Sequence, residues 1–425
     1  MDMSKELIVK QKLSNGFTYY IRKLEHFEKY VTMALTIKVG SINEIINERG
    51  LAHLLEHMHM NFHKYELYSD IRYRTKAYTD FFETTFYIKC FNSWENIISC
   101  MEIFSYICEG KFLNELYFTE TKNDVISEIL GYDENKEQEK NLFSILLANS
   151  EYMDCLAIGN IENVSDFSYQ DLLEFHKKWY SADIMSIAIV GDVIDIREME
   201  KTIKVKFEGI ITKKLPNISF NPEIPKYDKM IFKNRIKESD KRGLEVYFKV
   251  KKSDLFNFNF NEIEVMESIL FEMVEIKLKS YFKEVDKSLL EVTCEKINLD
   301  VIHMFYSIKI VFKDIESLTI NDIVNLIEDF FNSIIRTNND YLILDLLTEL
   351  SDTIEKSKDN YYDSVGMHYL LLECINDYIS EIPVVTYLEK YESIKNIIKK
   401  INLKNIYTYL NYWINECDRL YLEIS

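Results

Sequence analysis

The sequence predicts an α+β fold with two similar domains, each a mostly antiparallel sheet packed with helices. Blocks of β-branched and aromatic alternation, typical of strands, are interspersed with blocks that carry apolar residues at intervals of three and four, typical of helices. A length of 425 residues exceeds what one hydrophobic core usually organises. In addition, prolines cluster near the middle of the chain.

The proline cluster predicts the domain boundary. Three of the four prolines, Pro216, Pro222 and Pro225, fall within LPNISFNPEIP. Such a stretch between two patterned regions indicates a semi-rigid linker. We therefore predict an N-terminal domain at 1–214, a linker at 215–228 and a C-terminal domain of similar fold at 229–425.

The N-terminal domain opens with segments that predict strands and then a helix. LSNGFTYYIRK has strand residues around an Asn15-Gly16 turn, and YVTMALTIKVGS continues the alternation as a strand or a hairpin. ERGLAHLLEHMHMNF changes to helical spacing, and KAYTDFFETTFYIKCF returns to strand-like alternation.

The rest of this domain is predicted to be mostly helical. Apolar residues recur at helical intervals in SWENIISCMEIFSYICEG and LYFTETKNDVISEILGYDENKEQEKNLF. A helix, a loop and a strand are predicted for YQDLLEFHKKWYSADIMSIAIVGDV. The C-terminal domain shows the same mixture, from VYFKVKK to the final RLYLEIS.

The charge balance limits the partners. The formal net charge is −19, from 51 Lys and Arg against 70 Asp and Glu. This charge repels a phosphate backbone, so no nucleic-acid partner is expected. An acidic surface can attract basic peptides or simply keep the protein soluble, and the composition leaves both interpretations open.

Cysteine usage and the first residues predict a cytoplasmic protein. The seven cysteines are scattered, odd in number and without a CxxC pair, which fits a reducing compartment. The opening MDMSKELIVKQKL has no long apolar core, and no later run approaches the ~18 apolar residues of a membrane span. We therefore expect neither a secretion signal nor a membrane span.

The segment GLAHLLEHMHM, residues 50–60, carries the strongest functional pattern. His53 and His57 are four residues apart, so on a helix they share a face and can offer imidazole nitrogens to one metal ion. Glu56 lies beside them and is a candidate general base for a water molecule at a zinc site. Two histidines flanking an acid also occur by chance, so the motif alone does not exclude a core helix.

Four blocks in order make the chain resemble the pitrilysin, insulysin and mitochondrial processing peptidase family. HLLEH matches the inverted zinc-peptidase motif HxxEH. LSNGFTYYI resembles the family's opening strand, IKVGSINEIINERGLAHLLEHMHMNF its strand and zinc helix, KAYTDFFETTFYIKC its NAxTxxxxTxY strand, and IGNIENVSDFSYQDLLEFHKKWYSADIMSIAIVGDV its closing segment. The resemblance covers roughly residues 13–193 and implies a zinc metallopeptidase built as half of a clamshell.

The resemblance also implies the third zinc ligand. The family takes this ligand from a ValxxGlu signature in a helix, and Val125 with Glu128 supplies that signature 71 residues after His57. The zinc ligands implied are therefore His53, His57 and Glu128. Glu134 is the nearby alternative, in the highly polar GYDENKEQEK, which predicts a solvated helix end or a loop.

The sequence keeps part of the family's pattern around this site and departs from the rest. Thr121 stands where many members have a supporting glutamate, and Glu120 lies one position away, so its role at the metal is open. Lys76 replaces the Asn of the NAxT strand. Ala77 and Thr79 keep the pattern, and since that strand aligns substrate in the family, both are expected to bind substrate.

The remaining histidines near the motif are not expected to bind metal. His59 lies two positions past His57 and points elsewhere on a helix, so a surface or subunit-contact role is predicted for it. His63 receives no ligand role, and His176 matches a family position that packs the domain.

The activity implied by the resemblance is hydrolysis of peptide bonds, with Glu56 as the base. Removal of the leader from a ribosomally made, modified peptide of the subtilosin type is the specific expectation. General degradation of oligopeptides is an alternative, and a non-catalytic scaffold that binds peptide is another.

The resemblance further implies a partner. Larger members fuse two halves around the substrate, and this chain has the length of one half. The family's distal arginine and tyrosine have no clear match here, because LKSYFKEVDKSLLEVTC offers Tyr281 and lysines only. A heterodimer with a homologous subunit that lacks HxxEH is therefore expected, and a homodimer is the alternative.

Overall fold

The chain folds into two compact units. The structure, a computed structural model, describes residues 6–25, 29–65, 74–135, 137–193, 195–227, 231–234, 241–255, 259–299, 302–313, 318–337, 339–357 and 366–424. The first unit holds Met1–Lys140, Leu147–Ile224 and Tyr362–Tyr387, and the second holds Asn141–Leu146, Pro225–Tyr361 and Leu388–Ser425.

These units differ in two respects from the predicted domains, although the division between Ile224 and Pro225 lies inside the predicted linker. Tyr362–Tyr387, which falls in the predicted C-terminal domain 229–425, belongs to the first unit. Asn141–Leu146, which falls in the predicted N-terminal domain, belongs to the second unit. The helix Met367–Ser380 packs on strands of the first unit's sheet. Its apolar pattern indicates a buried face but not which sheet covers that face.

The first unit is built around a six-stranded sheet. Its strands, in the order β1-β2-β6-β3-β5-β4, are β1 (Glu6–Lys12), β2 (Thr18–Leu24), β3 (Tyr30–Ile37), β4 (Arg74–Thr79), β5 (Thr84–Phe91) and β6 (Met185–Gly191). Neighbours run antiparallel, except β2 and β6, which run parallel. The turn predicted at Asn15-Gly16 joins β1 to β2, where Gly16 has a φ of 92° that favours glycine.

Eight helices lie between or after these strands in the described part of the sequence up to Phe207. They are α1 (Leu51–Met60), α2 (Trp94–Glu109), α3 (Glu115–Asn135), α4 (Glu137–Leu146), α5 (Glu151–Asp154), α6 (Ile161–Asp166), α7 (Tyr169–Trp179) and α8 (Ile196–Phe207). Residues Asn141–Leu146 of α4 belong to the second unit. The segment expected to be a solvated helix end or loop around Glu134 is helical as far as Asn135. The α1 helix contacts both α3 and β4, which brings the HLLEH segment beside the helix that carries Glu128.

A buried ion-pair network attaches the returning helix to the sheet. Arg22 on β2 is fully buried. Its Nε donates to Glu6 at 2.5 Å, and its Nη1 donates to Oε2 of Glu373 at 2.6 Å and to the Leu370 carbonyl at 3.1 Å. A buried guanidinium needs such partners because an unpaired buried charge is strongly destabilising.

The second unit repeats the architecture of sheet and helices. Its strands, in the order β7-β11-β8-β10-β9, are β7 (Ile231–Asn234), β8 (Lys241–Lys251), β9 (Leu289–Asn298), β10 (His303–Lys313) and β11 (Asp418–Ile424). Only β7 and β11 pair in parallel among these described strands.

Long helices complete the second unit and confirm the predicted α+β class. They are α9 (Phe260–Val285), α10 (Ile320–Arg336), α11 (Asp340–Ser357), α13 (Tyr387–Lys400) and α14 (Leu403–Asn411), while α12 is the returning helix Met367–Ser380. Each unit thus pairs one mostly antiparallel sheet with helices, as predicted. No helix among the described residues is both long and apolar enough to cross a membrane.

Candidate metal centre

The site begins where α1 begins. Gly50 precedes the helix with a φ of 101°, a left-handed conformation that a side chain would strain. The carboxyl group of Glu44 caps the helix: Oε2 accepts a hydrogen bond from the Gly50 backbone N–H at 3.0 Å and Oε1 accepts one from the Ala52 N–H at 2.7 Å. These two hydrogen bonds satisfy N–H groups at the start of the helix that would otherwise lack a partner.

The α1 and α3 helices bring three ligand-type atoms together. Nε2 of His53 and Nε2 of His57 lie 3.1 Å apart. From α3, Oε2 of Glu128 lies 3.2 Å from Nε2 of His57 and 3.7 Å from Nε2 of His53. In the described part of the chain, these residues are the one group of three or more His, Cys, Asp and Glu side chains placed to hold a metal ion.

The spacing of these atoms fits a zinc ion. Two ligand atoms about 2.1 Å from a tetrahedral zinc lie about 3.4 Å from each other. The observed separations of 3.1, 3.2 and 3.7 Å fall on both sides of that value. Two imidazoles and one carboxylate are also a ligand set that zinc uses in hydrolytic sites, where a fourth position is left for water. The three side chains therefore fit zinc in both chemistry and spacing.

The two histidines have different protonation tendencies. Burial lowers the pKa of His53 to about 4, and a positive charge on His57 acts in the same direction, against the opposing effect of Glu128. Burial also acts to lower the pKa of His57, but the hydrogen bond to the Glu128 carboxylate and the charge of Glu56 outweigh burial and raise that pKa. Neutral imidazole is the form that binds a metal, so His53 is ready to do so at neutral pH.

Glu56 lies on the same helix, with its side chain held from the neighbouring strand. It is 6% exposed, and burial raises its pKa to about 7, against the opposing effects of His57 and of Thr79. The hydroxyl of Thr79 on β4 donates to Oε2 of Glu56 at 2.9 Å and lies 3.3 Å from the hydroxyl of Thr84. The contact observed for Thr79 is thus with the predicted base.

None of the other residues singled out by the sequence is among the three ligand-type side chains that the described residues bring together. Ala77 is partly buried against the core of the first unit. Thr121 is buried, and its hydroxyl oxygen accepts a hydrogen bond from Nδ2 of Asn61 at 2.6 Å. The Glu120 carboxylate instead pairs with Lys64 at 2.7 Å. The side chain of Glu134 lies outside the described residues.

Comparison with known proteins identifies the family. Residues 21–156 match the family model described as Insulinase (Peptidase family M16). Residues 166–272 match the model described as Peptidase M16 inactive domain. The chain belongs to the M16 peptidase family. The resemblance to the pitrilysin and insulysin family is therefore confirmed.

Individual M16 relatives agree with this assignment. The chain is 26% identical over 301 residues to the "Probable zinc protease PqqL" of Haemophilus influenzae, a match that covers 65% of this chain and 31% of that protein. The crystal structure of the periplasmic protease PqqL from Escherichia coli is similar with a TM-score of 0.84 at 19% identity, over 98% of this chain and 47% of that one. The chain thus matches only part of each of these proteins.

A third M16 structure matches over its full length. The fold of a protease from Helicobacter pylori is similar with a TM-score of 0.70 at 14% identity. That match covers 99% of this chain and 100% of the other. At such identities these likenesses concern the fold alone.

One expectation for this M16 chain was wrong. His59 was predicted to lie at the surface or a subunit contact, but it is fully buried in the first unit. Its ring packs against Phe86, His176 and Tyr180, with centroids 5.9, 5.6 and 5.6 Å away. The helix does point His59 away from His57, but a helix face opposite a site can meet the core as readily as solvent.

Two features of the M16 site were missed from the sequence. Glu44 was not singled out, because it lies six positions before Gly50 and no local period in the sequence connects it to the start of α1. The contact of Thr79 with Glu56 was also missed, because pairing across a strand and a helix leaves no periodic trace in the sequence.

Proposed function

We propose that the chain is a zinc-dependent endopeptidase with the metal held by His53, His57 and Glu128. The observation that carries this proposal is the set of donor-atom separations, 3.1, 3.2 and 3.7 Å, beside a buried carboxylate on the same helix. The H. influenzae relative named as a zinc protease supports the same activity.

The chain's own residues have distinct roles in this proposal. When bound, zinc supplies Lewis-acid activation of a water molecule and of the scissile carbonyl. Glu56 accepts a proton from that water and passes it to the leaving amine. The hydrogen bond from Thr79 keeps the Glu56 carboxylate oriented toward the site.

Substrate is proposed to bind along β4. Among the described strands β4 is the last of its sheet and pairs only with β5, so its other edge can accept a peptide as an added strand. Ala77 and Thr79 lie on this strand and would face the peptide segment nearest the site. Backbone pairing of this kind places a peptide bond without reading its side chains, which suits an endopeptidase.

The finer proposal for the substrate is the leader of a ribosomally made, modified peptide. It is supported by the resemblance to the family. Cleavage of one precursor at its leader junction, with slow cleavage of the same peptide without its leader, is the expected result. Equal cleavage of unrelated oligopeptides would instead favour a general degrading role.

A partner is proposed to close the site. The side chain of Glu128 is 51% exposed and that of His57 is 27% exposed, so the metal face is open within the first unit. We propose a homologous subunit without HxxEH as the cover. Size-exclusion chromatography with light scattering, followed by mass spectrometry of chains that co-purify, would identify either this heterodimer or an active homodimer, and the latter would overturn the heterodimer.

A cytoplasmic location also remains a proposal. None of the seven cysteines, all of which lie in the described part of the chain, forms a disulfide, and six of them are buried, which suits a reducing compartment. The E. coli relative is described as periplasmic. Fractionation of the producing cell would decide between the two compartments.

The central test compares two variants purified with whatever chains accompany the wild type. Glu56→Gln is expected to retain about one zinc per chain and lose hydrolysis, because it removes the base and leaves the ligands. His53→Ala is expected to lose both zinc and hydrolysis. Hydrolysis at the wild-type rate by Glu56→Gln would contradict the proposal, and absence of zinc from the metal-replete wild type would favour the scaffold alternative.

A further inference from the structure

A basic stripe lies on the face of β4 and β5 that points away from the metal. We use this name for Arg74, Lys76 and Lys89. Successive side chains of a strand alternate between faces, and Thr79 reaches Glu56 on one face, so Arg74 and Lys76 lie on the other. Lys89 joins them because it stands directly opposite Arg74 in the register of the two strands.

The stripe is electrostatically unfavourable without an anion. Like charges directly opposite each other on neighbouring strands are destabilising. Arg74 and Lys76 are exposed, and none of the three cations forms an ion pair with another described residue. Lys89 instead lies over the ring of Tyr30, with Nζ 4.6 Å from the ring centroid, and Nζ of Lys29 lies 5.3 Å from the same centroid. In a chain of net charge −19, this grouping of cations indicates a binding site for an anionic group.

The position of the stripe indicates what that partner is. A peptide added to the open edge of β4 would turn every second side chain toward the stripe and the others toward the metal face. Alternate side chains of a strand are about 6.6 Å apart, which is also the spacing of Arg74 and Lys76 along β4. From Thr79 to these two residues the strand covers about 10 to 17 Å, so the peptide residues concerned lie a few positions from the scissile bond.

We propose that the basic stripe selects peptide substrates with acidic side chains at two alternating positions on one side of the scissile bond. The proposal rests on the function proposed above and adds a substrate class to it. Arg74, Lys76 and Lys89 are specificity-determining residues in it and take no part in the chemistry.

The rest of this face limits where the acids are accepted. Nearer the metal, the Tyr78 hydroxyl donates to the Glu83 carboxyl at 3.2 Å, so that part of the face offers an acid rather than a cation. The overall negative charge of the chain would repel an acidic peptide at a distance, but charges more than about 8 to 10 Å away are largely screened at physiological ionic strength. The selection therefore acts through the nearby cations.

The test uses three peptides that share one cleavage site and differ only at the alternating pair, which is Glu and Glu, Gln and Gln, or Lys and Lys. The pair is placed on either side of the scissile bond in turn. Hydrolysis is measured with the zinc-loaded wild type together with any subunit that co-purifies. Binding is measured by fluorescence anisotropy with zinc-loaded Glu56→Gln, which reports selection independently of hydrolysis.

The variants isolate the stripe from the net charge. The test variant carries Arg74→Gln, Lys76→Gln and Lys89→Gln. The matched control carries Arg197→Gln, Lys201→Gln and Lys204→Gln, three exposed cations on α8, and changes the net charge by the same amount. Circular dichroism and zinc content establish that both variants are folded and loaded.

The peptide with the Glu pair is expected to bind more tightly and to be cleaved faster than the peptide with the Gln pair. The difference should be about three- to tenfold, since two or three exposed ion pairs are involved. It should appear for only one of the two placements of the pair relative to the scissile bond. The Lys pair is expected to be poorest, and the test variant is expected to lose the difference while the control keeps it. Equal binding of all three peptides by the Glu56→Gln protein, in which the basic stripe is unchanged, would overturn the inference and leave the proposed function intact. Binding selection without any hydrolysis would support the inference and contradict the peptidase function.

Discussion

The hydroxyl of Thr79 donates a 2.9 Å hydrogen bond to Oε2 of Glu56, from a strand to the helix that carries the metal ligands. Thr79 is thereby a positioning residue for the proposed base, in addition to its place on the strand proposed to align substrate. The orientation of the proposed base therefore depends on the same strand whose open edge is proposed to bind the peptide.

Loss of this hydroxyl is expected to slow hydrolysis without loss of zinc. A hydrogen bond to a charged group typically contributes about 1.5 to 3 kcal/mol, so Thr79→Val should lower kcat by roughly 10- to 100-fold. Thr79→Ser keeps a hydroxyl and is the matched control. Steady-state kinetics separate the roles, because a change in KM with an unchanged kcat would indicate substrate alignment rather than positioning of Glu56.

The two neighbouring acids of α3 are expected to behave differently. Glu128 lies 3.2 Å from Nε2 of His57, whereas Glu120 pairs with Lys64. Loss of a residue that supports a metal ligand typically lowers the affinity for the metal by about 10- to 100-fold. Glu128→Gln alters a proposed ligand itself, so it should weaken zinc binding by at least about 100-fold. Glu120→Gln should bind zinc like the wild type. Competition with a chromophoric chelator measures both, and equal affinities would remove Glu128 from the ligand set.

His59 is expected to be dispensable for zinc. It is fully buried, and neither of its ring nitrogens has a hydrogen-bond partner among the described residues. Burial holds its pKa well below the ordinary value, so the ring is neutral. His59→Leu removes unsatisfied polar atoms at similar volume, so the free energy of unfolding should stay within about 1 kcal/mol of the wild type. Urea unfolding and metal analysis check this, and loss of zinc from a folded variant would show that the site reaches further than the three proposed ligands.

Glu44 is expected to make stability depend on pH. Burial raises its pKa from 4.5 to about 8, against the opposing effect of its hydrogen bonds from Ala52 and Gly50. The folded state therefore holds a proton that the unfolded state releases, so this contribution to stability is present below pH 4.5 and is lost as the pH rises through about 8. The expected loss is of the order of a few kcal/mol for a shift of this size.

Glu44→Gln cannot ionise and should show a smaller fall in the free energy of unfolding between pH 5 and pH 8. Urea unfolding of both proteins in the same metal state measures the difference. Parallel pH profiles for the variant and the wild type would indicate that Glu44 is ionised throughout and caps α1 as a carboxylate.

Local sequence patterns were sufficient for much of the fold. The turn at Asn15-Gly16 and the helical spacing of HLLEH each predicted the element that the structure contains. The strand-like alternation of KAYTDFFETTFYIKCF predicted strand structure but not its division into two strands, β4 and β5. Both periods are properties of neighbouring residues, which is why the sequence shows them. The same spacing is sufficient to put His53, Glu56 and His57 on one helix. Glu128 needed the family pattern, since no local period connects residues that are 71 positions apart.

Tertiary structure alone decided what each face meets. A helix with apolar residues at regular intervals must bury that face, but the interval does not say against what. For this reason the sequence could not show that His59 is in the core, that Glu44 caps α1, or that α12 returns to the first unit. The sequence determined which residues share a face, and the packing of strands and helices decided which faces form the site.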